Sequence, residues 1–163
     1  MPDSLRAGTV NMVVLNHHED ARSSSCIGNG SMRSIFHDCQ LEADRFKWIE
    51  SERAGYDLGE GAIHRWVREH WWGFLRHRWL EHLQGTCFWT ELDRGDFGLL
   101  QRNFTEHNEL LNNIVERLKD GKENLDIITW AKQTNQHLEA VIQILEALDI
   151  NSRRLVHRFD PVC

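Results

Sequence analysis

Between Pro2 and Pro161 the chain contains no proline, and this constrains the fold more than any other single feature. Proline removes a backbone donor and clashes with the preceding turn, so its absence leaves the interior open to long helices. Punctuation falls to glycine and to polar clusters. An all-α class is therefore expected, and 163 residues with 40% apolar side chains are enough for one core and one domain.

The residues from Asp57 to Gly85, DLGEGAIHRWVREHWWGFLRHRWLEHLQG, form the stretch around which the rest is organised. They hold four of the seven tryptophans and four of the ten histidines. Asp57 with Glu60 three residues later has the form of a capping box, and Gly85 suits the left-handed conformation of a C-cap. On a helical wheel Ile63, Trp66, Val67, Trp71, Phe74 and Leu75 fall on one broad apolar side. Arg65, Arg68 and Arg76 fall opposite, joined by Trp72, Trp79 and Leu83. An aromatic row among arginines is a surface that solitary monomers tend to cover, so these six residues are the expected partner-binding face. The cover is either the chain's own tail or another molecule. His64, His70, His77 and His82 lean toward the apolar half, where an imidazole most often bonds to a carbonyl or a carboxylate.

Three further helices are read from periodicity. Ser31 to Ala54 carries Met32, Ile35, Phe36, Cys39, Ala43, Phe46 and Ile49 at helical spacing and is closed by Gly55. Glu42 and Glu50 project to that same half, so each should have a partner, snorkel to the edge or bind a cation, with Arg53 the nearest partner for Glu50 and a histidine of the second helix another. The aromatic linker Thr86 to Gly95 is expected to pack. Asp96 caps a third helix with Phe97, Leu100, Phe104, Leu111, Ile114 and Leu118 in heptad register, His107 at a core position, and Asp120-Gly121 at its end. A fourth, starting at Asn124 or Asp126 and running to about Asp149, shows the stripe Ile127, Ile128, Ala131, Leu138, Val141, Ile142 and Leu145. The reading is a four-helix bundle-like single domain over 31–150. Residues 1–30 form a flexible or extended N-terminal arm, and 151–163 a tail that packs back or reaches out.

Function is less determined. The net charge of −6 supplies no global attraction to nucleic acid, which makes that partner unlikely. No apolar run is long enough to span a bilayer. Cys26, Cys39, Cys87 and Cys163 have no C-x-x-C spacing, so reduced thiols in a cytoplasmic protein are expected. No phosphate-binding glycine loop, nucleophile elbow or zinc-protease motif is present. Two function classes remain. The first is a non-catalytic accessory subunit that associates with a protein partner or with itself through the Arg/Trp face. The alternative is a bundle binding a transition metal or haem through inward Glu42, Glu50, His70, His77, Glu81 and His107, although the Glu-x-x-His pairs of di-iron bundles are lacking.

Overall fold

The computed structural model describes residues 32–159, and the expected N-terminal arm, 1–30, lies outside the described residues. The described chain is mostly helical, as composition implied: α1 (Ile35–Ala54), α2 (Glu60–Gln84), α3 (Leu99–Asn103), α4 (Asn108–Lys119), α5 (Asn124–Gln133) and α6 (Leu138–Leu148). Two strands of two residues, β1 (Met32–Arg33) and β2 (Phe88–Trp89), pair in parallel. They fasten the start of α1 to the loop after α2.

α1 and α2 form an antiparallel hairpin closed by glycines, and α2 also packs against β2, α3 and α4. Gly55 and Gly85 adopt left-handed conformations at the two C-caps, as the sequence indicated. At Gly85 a second constraint applies: a β-carbon there would sit 3.1 Å from the α-carbon of Gly98. The two glycines let the loop lie against the helix end, where the Gly98 amide donates to the His82 carbonyl at 2.9 Å. The start of α2 differs from expectation. Its N-cap is Gly59, and Asp57 folds into a local turn, accepting from the Gly59 amide at 2.9 Å, instead of forming a capping box with Glu60. The Gly59 amide first, then Lys47, hold the Asp57 carboxyl below the usual carboxylate range.

Both later helices are broken where single helices were expected. The third becomes a 3-10 turn at Arg94–Asp96, then α3, then a turn at Thr105–His107, then α4. Gly98, left-handed, cannot continue a helix through residue 98. The fourth divides at the polar run Thr134–His137, where Asn135 takes a positive φ of 54° and the His137 ring nitrogen accepts the Ala140 amide to start α6. Asparagine tolerates that conformation better than most side chains. α5 does open with a capping box, formed by Glu123 with Asp126.

Two cores result. Leu111, Ile114, Leu118, Ile127, Val141, Ile144 and Leu148 make an aliphatic core among α4, α5 and α6, to which α2 contributes Leu80 and Leu83. Burying each such side chain stabilises the fold by about 1.5–3 kcal/mol relative to exposure. Ile35, Cys39, Ala43, Trp66, Trp71, Leu75, Cys87 and Trp89 make an aromatic core between α1, α2 and the loop. Met32, expected in the buried row of α1, is exposed in β1 because the helix begins only after Ser34.

Candidate functional site

Because α2 has different neighbours along its length, its buried side rotates. Toward the N-terminal half Trp66, Trp71 and Leu75 face the aromatic core, whereas Leu80 and Leu83 face the aliphatic one. The expected Arg/Trp face is divided by this rotation. Leu83 is 0% exposed and so is not available to a partner, whereas Trp79 is partly buried, packing against both cores while one side lines the cleft beside Trp72. Arg65 lies in the seam between α1 and α2, bonded to Glu50 and with its guanidinium 4.9 Å from the Phe46 ring centre. Arg68, Trp72 and Arg76 remain on the outer side. Trp72 is 53% exposed, Arg68 carries a largely exposed guanidinium 3.6 Å from Glu69, and Arg76 reaches Glu123 at 2.8 Å.

The tail completes this face. The Trp71 indole N–H donates to the Leu155 carbonyl at 3.1 Å, drawing residues 153–159 back across α2, with Leu155 and Phe159 packed on the aromatic core. Arg153 bonds to Asp96 at 2.7 Å and to the Leu148 carbonyl at 2.7 Å, and its guanidinium stands 5.4 Å from the Trp79 ring. Arg154 stands 5.1 Å from the Trp72 ring. A cleft of about 260 Å³ opens between α2 and the segment after α6, walled by Trp72, Arg76, Trp79, Arg153 and Arg154 over a floor of Leu75 and Ile150. Neither tail arginine was singled out as a site residue in the sequence. Their placement depends on the bond from Trp71, which periodicity does not reveal.

The six residues considered for a metal or haem separate. Glu42, His70 and His77 line one cleft between α1 and α2 together with Trp66, Phe74 and Arg78. Glu50 is instead held by Arg65 and Arg53, and the Arg65 hydrogen bond foremost keeps its carboxyl below the usual range. Glu81 accepts from the Trp89 indole at 3.2 Å and from Arg78 at 3.4 Å. His107 stacks on His137 at the start of α4, 6.2 Å between ring centres. Among the described residues no group of three or more His, Cys, Asp or Glu side chains is placed to hold a metal ion.

Two histidines of α2 have structural partners. His77 Nε2 lies 2.9 Å from the Lys119 carbonyl, and burial pushes its pKa below the usual 6.5. His82 is fully buried; its Nδ1 accepts the Trp89 amide at 3.1 Å, which leaves Nε2 as the donor to the Asp93 carbonyl at 2.8 Å. Among the cysteines, Cys39 is free and buried, and burial, then Asp38 and Glu91, raise its pKa to about 11. A thiol so poised is not a nucleophile at neutral pH. Cys87 is disulfide-bonded, which corrects the expectation of uniformly reduced thiols.

No helix among the described residues is long and apolar enough to cross a membrane. The chain matches no protein-family model, no curated protein and no solved structure.

Proposed function

We propose that this chain is a non-catalytic helical accessory subunit, associating with a protein partner or with itself through the outer face of α2 as the tail completes it: Arg68, Trp72, Arg76 and Arg154. The observation that carries this reading is Trp72. Every other tryptophan of α2 is buried or packed into a core, whereas this one stays 53% exposed in the middle of the central helix, with Arg154 over its ring and a cleft beside it. Large aromatic side chains and arginines are the residues that dominate protein interfaces, because both combine wide contact area with directed polar groups.

The test is a paired substitution, Trp72→Ala with Arg154→Ala, assayed by solution mass and by recovery of bound protein. Both residues are surface-exposed, so the fold should survive, with an unchanged circular dichroism spectrum. Association should fall by at least tenfold. If solution mass and recovered partners both stay as in the parent protein, the reading is wrong.

A further inference from the structure

A second aromatic-lined cleft lies at the other end of the helical hairpin, and its charge is opposite. It encloses about 600 Å³ and is walled by Asp44, Lys47, Trp48, Glu52, Tyr56 and Asp57. Trp48 and Tyr56 are 66% and 67% exposed and belong to neither core. The only cation in the wall, Lys47, is 3.6 Å from Asp57. Asp44 accepts only from Gln40, at 3.1 Å, and Glu52 has no ion-pair partner among the described residues. An indole and a phenol beside the Asp44 and Glu52 carboxylates, which have no cation among the described residues, are suited to a guanidinium, which stacks on an aromatic face while donating to carboxylate oxygens.

Guanidinium groups of that description line the α2–tail cleft. Arg154 donates only to the Arg153 carbonyl among the described residues, with no carboxylate beside it. Each cleft therefore holds what the other lacks. They cannot meet within one molecule: from Glu60, beside the acidic cleft, to Trp72 and Trp79 the rigid helix spans roughly 20 to 30 Å at 1.5 Å per residue.

We infer that the acidic cleft at the end of α1 in one copy of this chain receives the Arg154 and Trp72 edge of a second copy. The inference rests on the proposed role of the α2 face and names its partner. Because the two surfaces differ, the contact is head-to-tail, and such contacts build rings or open chains rather than two-fold dimers.

The experiment measures solution mass by light scattering across protein and salt concentration for the parent and two charge reversals, Arg154→Glu and Asp44→Arg with Glu52→Arg. All three positions are exposed, and unchanged thermal melting would confirm that the variants fold. The parent should exceed one chain in mass, increasingly so with protein concentration and less so in high salt. Each variant should be monomeric. An equimolar mixture of the two should yield a species of two chains and nothing larger, since each retains one intact cleft. A parent that stays monomeric at hundreds of micromolar, or a mixture that stays monomeric, overturns the inference. If Arg154→Glu lowers the mass while the acidic-cleft variant does not, the inference fails and the α2 face stands as an interface with some other surface. If neither variant changes an associating parent, both readings fail.

Discussion

The aliphatic core under α4, α5 and α6 and the aromatic core between α1 and α2 are held together by different means. The first is closed by volume alone: Leu111, Ile114, Leu118, Ile127, Ile144 and Leu148 bring no polar side-chain atom inside. The second buries Asp38, Arg78 and His82 alongside its indoles, and every such group needs a partner. Arg33 and Arg78 stand 5.2 and 5.1 Å from the Trp89 ring, Arg78 stands 4.6 Å from that of Phe74, and the Trp71 indole reaches a carbonyl 84 residues away. A core closed by volume tolerates changes that conserve size, while one closed by directed bonds loses a whole connection when a single atom changes.

Three measurements sharpen that contrast, taken from the largest effect downward. Trp89→Ala should cost about 3–5 kcal/mol in urea unfolding, since it empties a fully buried site and strips partners from Glu81 and two arginines. A value under about 2 kcal/mol would mean that the loop relaxes freely and that the aromatic core has no such dependence on single groups. Next, Trp71→Phe keeps most of the ring but loses the N–H, and should cost about 1–2 kcal/mol of stability while speeding proteolysis and amide exchange across 153–159. In the aliphatic core Ile144→Val should cost about 0.5–1.5 kcal/mol with no effect on the tail. Similar tail exposure in both variants would erase the distinction.

The smallest effect concerns pH. His77 has a folded-state pKa below 6.5, so on acidification the unfolded chain takes up its proton first. Its contribution is thus intact above about pH 7, is lost as pH falls through 6.5, and levels off below the folded pKa. His77→Gln should flatten the decline of stability between about pH 7 and pH 5, leaving the higher-pH values nearly level. An unaltered slope would show that the imidazole titrates as freely folded as unfolded.

The same division explains what the sequence made legible. In the aliphatic half the apolar rows of α4, α5 and α6 were readable, because uniform side chains packing on one neighbour impose a clean period. The breaks were not, since the heptad register runs on from Leu100 and Phe104 to Leu111 across an interruption in which the backbone turns without leaving its neighbour. Gly98 and the run Thr134–His137 were the available signals. In the aromatic half the two glycine caps were evident, but side chains were placed less well. One wheel drawn over 25 residues of α2 averages two buried directions, so it places Leu83 outside when it lies inside, and Trp79 wholly outside when it is partly buried at the rim of the cleft. For Glu50 the expected Arg53 partner is present, while the bond from Arg65 on α2, which places the carboxylate at the seam, was not legible.

The Glu91 carboxylate accepts from the Ser34 hydroxyl and, at 2.8 Å, from the Ile35 amide. Burial raises that carboxyl, but the bonds from Ser34, Ile35, its own backbone amide and Thr90 together hold it below the usual range. The opening turn of α1 is therefore finished by a residue 56 positions downstream. The Ser34 hydroxyl also accepts the His37 amide, so the turn has a local cap and a distant one that arrives only with the loop after α2. In hydrogen exchange the Ile35 amide and the β2 amides should open as one cooperative unit, making the start of α1 a reporter of loop docking more than of helix propensity.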